Sequence, residues 1–116
     1  MHQFLPYAWF QGRCVPFEEA KVSVATHALH YGTGAFGGMR AIPDPNKPGG
    51  MLLFRAERHA RRLSQSAHLL MADLAEDTVM EALKAVLHAN NPRTPIYLRP
   101  FVYTSDLGIA PRLHNI

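Results

Sequence analysis

Lysine is scarce in this chain: 116 residues carry three lysines against nine arginines. Cysteine is scarcer still. Cys14 stands alone, which rules out an internal disulfide framework and makes a reducing, cytoplasmic setting the default expectation. No apolar run approaches the roughly 20 residues of a membrane-spanning helix, and the opening MHQFLPYAWF lacks the charged start and long apolar stretch of a secretory signal, so no membrane partner is expected. Charged residues make up only 18% of the chain and apolar ones 47%, a balance that argues against disorder and for one packed domain. Metal-ligand spacing is missing too. The seven histidines contain no H-x-x-x-H, and the single cysteine has no CxxC partner. His27 and His30, three apart, read as structural imidazoles that hold turn carbonyls, so no metal site is expected. G-x-S-x-G is absent, which removes the commonest serine-hydrolase arrangement.

The charge that is present leans basic, with a formal net charge of +3 and a pI near 9.4. Nucleic acid is the first partner to consider. The excess is scattered along the chain apart from a short RAERHARR cluster, and no zinc-finger or RNA-recognition signature accompanies it, so no nucleic-acid partner is expected. Arginine in place of lysine has a second use: its planar fork matches the paired oxygens of discrete carboxylates and phosphates.

Turn chemistry divides the chain. YAWFQGRCVP, residues 7–16, reads as a tight hairpin with a Gln-Gly turn. Residues 20–25 alternate weakly. Residues 35–42 look extended and end at IPDPNKPGG, where three prolines and two glycines forbid regular structure. MLLF, 51–54, reads as a short buried strand. Helical spacing runs from about Arg55 to Met71 and again over 76–89. PIYLRPFVY, 95–103, reads as the last strand, and TSDLGIAPRLHNI has turn chemistry without a period. The fold class expected is α+β, a largely antiparallel sheet with two main helices packed on it.

Three segments each set an arginine beside an aromatic or a glycine. On the first helix Ala56, Ala60, Leu63, Ala67 and Leu70 form the core stripe, with Arg55, His59, Arg62 and Ser66 along its boundary. Arginines at such a boundary commonly do no more than lay their stems over apolar surface. On the last strand Ile96, Leu98 and Val102 share the core face, and Tyr97, Arg99, Phe101 and Tyr103 share the other. That second face suits an anion with an apolar tail, or is simply an aromatic-rich surface. In 35–42, Phe36, Gly38 and Arg40 share a face, and Gly38 leaves a gap where a ligand or another backbone can approach. GTGAFG, 32–37, matches the dinucleotide pattern G-x-G-x-x-G, with Glu57 at the spacing of a ribose-binding acid. Its context fails, because a strand and not a helix follows the glycines.

HALHYGTGAFGGMR, LLFRAERHARRLSQSA and YLRPFVYTSDLGIAP, in this order, resemble the N-terminal part of branched-chain amino acid aminotransferases, pyridoxal-phosphate enzymes of fold type IV. The resemblance implies that residues 1–116 form the N-terminal small domain, and that a C-terminal domain carrying the cofactor lysine is absent from this chain. Arg62, in His59-Ala60-Arg61-Arg62-Leu63, is implied to hold the cofactor phosphate. Tyr97-Leu98-Arg99-Pro100 is implied to supply an aromatic wall and an arginine for the substrate carboxylate, notably the distal one of glutamate. Phe36 and Gly38 are implied to line the side-chain pocket with Arg40 nearby. Tyr31 and the loop Leu107–Pro111 are similar to segments that cross a homodimer interface. Two departures stand out: Phe36-Gly37-Gly38-Met39-Arg40 lacks the glutamate of the usual F-E-G-[IL]-R, and SDLGIAP replaces a form nearer GDxGxGV, which touches the roles of Gly37 and Pro111. Lys21, Lys47 and Lys84 match no catalytic-lysine segment, so no catalytic residue is expected in this chain. The implied activity of the whole enzyme is exchange of the amino group of Leu, Ile or Val with 2-oxoglutarate; the fragment alone would be inactive and would not retain the cofactor. The alternatives are a D-amino acid aminotransferase or aminodeoxychorismate lyase of the same fold, or a non-catalytic binding module.

Overall fold

The computed structural model describes residues 4–70 and 73–105. It opens with the hairpin, β1 (Tyr7–Phe10) paired antiparallel with β2 (Arg13–Pro16). Gln11 and Gly12 both take positive φ, 51° and 93°, the mirror-image turn whose twist matches a two-residue hairpin loop. Residues 20–25 form no strand. The stretch HALHY is a five-residue helix, α1 (His27–Tyr31), closed by Gly32 in the left-handed region at φ 65°.

Next comes a long antiparallel ribbon. β3 (Gly34–Phe36) and β4 (Met39–Pro43) run against β7 (Phe101–Tyr103) and β6 (Ile96–Leu98) respectively. Phe36 faces Phe101 and Met39 faces Leu98, so a single register carries across the gap and sets Gly37 against Pro100 and Gly38 against Arg99. The expected last strand therefore divides at Arg99-Pro100. Pro100 has no N–H to donate, yet its carbonyl accepts from Gly37 N–H at 3.0 Å and holds the ribbon together. β5 (Met51–Leu53) lies on the far edge of β4. It is an edge strand with Leu52 exposed, not the buried strand expected from MLLF.

Behind the ribbon lie α2 (Ala56–Leu69) and α3 (Glu76–Asn90). Of the expected stripe, Ala56, Ala60, Leu63 and Ala67 are buried, together with Val79 and Leu83 of α3, while Leu70 is half-buried as the residue that caps α2. These meet Met39, Ala41, Leu98 and Val102, the back face of the ribbon. Three of the four stripe residues on α2 are alanines, so helix and sheet approach closely over a thin core. Arg55 is not part of α2. It caps the helix in the left-handed region at φ 56°, with its guanidinium 5.2 Å from the centre of the Phe54 ring. α3 ends at Asn91 (φ 45°) ahead of Pro92, and Asn90 ties the hairpin to it. The Asn90 side chain accepts from Tyr7 N–H at 2.9 Å and donates to the Tyr7 carbonyl at 3.0 Å, imitating a strand partner.

Candidate substrate-binding face

Alternation along the ribbon puts Gly34, Phe36, Gly38 and Arg40 on the front, opposite Tyr103, Phe101, Arg99 and Tyr97. The long side chains lean diagonally. Tyr97 lies over Gly38, where an added Cβ would meet the Tyr97 hydroxyl and, at 3.0 Å, its ring carbons. Phe101 likewise covers Gly34, whose Cβ would stand 2.8 Å from the Phe101 ring. Glycine at these two positions is thus the condition for the aromatics to lie flat on the backbone.

Arg99 sits at the centre of this face. Its guanidinium carbon lies 4.3 Å from the centre of the Phe36 ring and 5.6 Å from that of Tyr97. Its Nε donates to the Tyr97 hydroxyl at 3.2 Å. That contact consumes the side donor and leaves both terminal nitrogens to grip the two oxygens of a carboxylate. Phe36, Tyr97 and Phe101 are 58%, 58% and 54% exposed, a wide aromatic surface with no cover from the described residues. Tyr103 closes one end, its hydroxyl accepting from Gln11 Nε2 at 3.1 Å. Gln11 carried no signal in the sequence beyond its turn.

The structure brings Phe36, Gly38, Arg40, Tyr97 and Arg99 onto one face. It does not bring Arg62 to them. Arg62 is an exposed side chain on α2, in the layer behind the sheet, and its terminal nitrogen donates to His59 Nδ1 at 3.1 Å. α2 does lie against β3, the strand that carries Phe36. Tyr31 projects from α1 and stacks obliquely on His27. Leu107–Pro111 lies outside the described residues. Two clefts elsewhere include neither arginine: one of about 660 Å³ floored by Met51, Leu53, Met80 and Leu87, and one of about 470 Å³ beside Gln65 and Leu74.

The run Gly32–Gly37 passes from a helix into a strand, the reverse of a dinucleotide-binding turn. All three lysines are exposed: Lys21 and Lys47 in loops, and Lys84 on α3, where it lines the larger of the two clefts, away from the Arg99 face. Among the described residues no three His, Cys, Asp or Glu side chains gather as a metal site, and no helix is long and apolar enough to cross a membrane.

No family model matches the chain. Along all 116 residues it is 57% identical to a "Probable branched-chain-amino-acid aminotransferase" of Synechocystis sp., covering 38% of that protein. Its fold follows the crystal structure of the Escherichia coli branched-chain amino acid aminotransferase with a TM-score of 0.84 at 36% identity, covering 96% of this chain and 36% of that one. The chain matches branched-chain-amino-acid aminotransferases in sequence along its full length and in fold over nearly all of it. Another solved relative, the branched-chain aminotransferase of the thermophilic archaeon Thermoproteus uzoniensis with norvaline, matches with a TM-score of 0.83 at 32% identity, over 93% of this chain and 36% of that one. A further branched-chain amino acid aminotransferase, from T.th., is complexed with N-(5'-phosphopyridoxyl)-L-glutamate and matches with a TM-score of 0.82 at 34% identity, over 94% of this chain and 36% of that one. The chain thus spans just over a third of the length of the aminotransferases it matches. The expected α+β architecture, antiparallel strands backed by two helices, agrees with the part of those structures it covers.

Proposed function

We propose that this chain is the N-terminal small domain of a pyridoxal-phosphate-dependent aminotransferase that exchanges the amino group of leucine, isoleucine or valine with 2-oxoglutarate. One observation carries the reading: Arg99, held over Phe36 and locked through Nε to Tyr97, offers a carboxylate fork inside an aromatic wall. A substrate pair of one branched apolar acid and one dicarboxylate needs both properties on the same surface. Arg99 takes the distal carboxylate of glutamate or 2-oxoglutarate. Phe36, Tyr97 and Tyr31 take a branched side chain, the bare backbone at Gly38 leaves it room, and Arg40 flanks the wall from the next rung. An apolar wall discriminates by only about 1–3 kcal/mol per methylene, so one enzyme serves all three branched donors.

Pyridoxal phosphate would supply the aldehyde and electron-withdrawing ring through which an amino group passes from amino acid to 2-oxo acid. The donor set fits its phosphate. Arg62 spends one N–H on His59 and keeps the rest for anionic oxygens, while His59 steadies the fork in place. The lysine that bonds the cofactor and moves the proton belongs to a C-terminal domain, so the 116-residue chain alone is inactive and does not retain cofactor. That domain, and a second copy across a homodimer interface near Tyr31, would cover the exposed aromatic face.

The test is Arg99→Gln in the full-length enzyme. The KM for 2-oxoglutarate rises by at least about thirtyfold, as expected for a charge-assisted contact of roughly 2 kcal/mol or more, while the KM for leucine changes far less. Equal losses for both substrates would remove Arg99 from this role.

A further inference from the structure

The buried polar groups of the chain converge at one place outside the proposed substrate contacts. Thr26, His27 and Thr104 are each no more than 2% exposed. His27, the first residue of α1, holds its Nδ1 2.9 Å from the Thr33 hydroxyl and 3.2 Å from the Thr104 hydroxyl. The two hydroxyls are hydrogen-bonded to each other, and Thr104 N–H donates to the Thr33 carbonyl at 3.0 Å. Thr33 and Thr104 are therefore the next rung of the β3–β7 ribbon, beyond Gly34 and Tyr103, on its buried side. One proton order satisfies all three groups: the Thr104 hydroxyl donates to Thr33, and the Thr33 hydroxyl donates to Nδ1. The imidazole also packs on Tyr31, with ring centres 4.6 Å apart and planes inclined at 35°.

We infer that His27 is a positioning residue, which fixes α1, and with it Tyr31, against the open end of the ribbon where the chain leaves β7. A helix of five residues cannot hold its own shape and takes its stability from packing. Apolar contact alone would let it slide, whereas a buried hydrogen-bonded cluster is directional and penalises displacement. His27 thereby ties Tyr31 on α1 to the Thr33–Thr104 rung of the ribbon, positions remote in sequence. The consequence for specificity rests on the aminotransferase reading, since there Tyr31 belongs to the apolar wall; the placement of Tyr31 does not.

The experiment uses the full-length chain labelled with 3-fluorotyrosine, the Tyr31 fluorine resonance being assigned by its loss in Tyr31→Phe. His27→Phe keeps a ring against Tyr31 and removes Nδ1; Thr104→Val removes a hydroxyl and is the companion should His27→Phe fail to fold. In either variant the Tyr31 resonance shifts and broadens, and His27→Gln, whose amide can still meet the hydroxyls, recovers part of the shift. Turnover supplies the second readout: KM for leucine rises about fivefold, the worth of one buried hydrogen bond, with kcat and cofactor affinity held within about twofold. An unmoved Tyr31 resonance overturns the inference. So does a parallel worsening of KM, kcat, cofactor affinity and melting temperature, which marks a purely structural role. If the parent enzyme does not transaminate at all, the proposed function fails, and the fluorine resonance alone decides the positioning of Tyr31.

Discussion

Gly38→Ala isolates the geometry of the Arg99 fork from its charge. The backbone at Gly38 is not in the left-handed region, so alanine is conformationally allowed there. The conflict is with Tyr97, whose hydroxyl occupies the place of the new Cβ and whose ring carbons lie 3.0 Å from it. Tyr97 is more than half exposed and swings outward, at about 0.5–1.5 kcal/mol for an unfavourable rotamer. Global stability therefore falls by about 0.5–1.5 kcal/mol. The local loss is larger in its effect. When Tyr97 leaves, the 3.2 Å bond to Arg99 Nε breaks and one of two ring contacts on the guanidinium goes with it. With the charged-group hydrogen bond at about 1.5 kcal/mol, its exposed lower bound, the KM for 2-oxoglutarate in the full-length enzyme rises roughly tenfold. A branched 2-oxo acid, which does not use the fork, changes by about twofold or less. Tyr97→Phe removes the same hydroxyl by another route, so adding Gly38→Ala to it produces much less than a further tenfold rise. Fully multiplicative effects of the two substitutions, or an unchanged KM for the dicarboxylate in Gly38→Ala, would refute the coupling.

Three further outcomes follow from other parts of the fold. Arg62→Ala in the full-length enzyme releases pyridoxal phosphate on dilution, followed by visible absorbance, and at saturating cofactor leaves kcat nearly unchanged; equal cofactor affinity in mutant and parent would remove Arg62 from the phosphate. Leu63→Ala, at a position 3% exposed in an alanine-rich stripe, leaves a cavity no neighbour can fill and lowers stability by about 2–5 kcal/mol in chemical denaturation. Asn90→Ala frees the hairpin from α3 by removing both bonds to Tyr7, which costs about 1–2 kcal/mol and speeds amide exchange in Tyr7–Pro16 before the ribbon.

Where a residue's neighbours are set by a strict period, the chain was legible from its sequence. Two-residue alternation placed Phe36, Gly38 and Arg40 on one face and Tyr97, Arg99 and Phe101 on another, and antiparallel pairing made the two faces one. Helical spacing found the stripe Ala56, Ala60, Leu63, Ala67 in the same way. Failures came where no period operates. HALHY is too short for a helical repeat to declare itself, and its helix depends on the Gly32 cap and the burial of His27. Arg55 falls on the extrapolated helix face, yet the turn out of β5 puts it in a left-handed cap. The run PIYLRPFVY keeps its alternation through Pro100 although the ladder cannot, so the pattern survives while the strand divides. Periodicity says which side of α2 and which face of the last strand meet in the core, but not how far a boundary side chain of α2 reaches round the sheet. That is why Arg62 and Arg99, both sought at one cleft, stand in different layers. The clasp of Thr33, Thr104 and His27 joins positions up to 77 apart in sequence, a distance no local pattern spans.

The most direct test of the account is a crystal structure of the full-length enzyme with pyridoxal phosphate and a non-reacting dicarboxylate analogue of 2-oxoglutarate. The distal carboxylate is expected at about 2.7–2.9 Å from both terminal nitrogens of Arg99, with the Nε bond to Tyr97 retained and the cofactor phosphate on Arg62. A dicarboxylate seated away from the Phe36–Tyr97 face, with Arg99 turned to solvent, would contradict it.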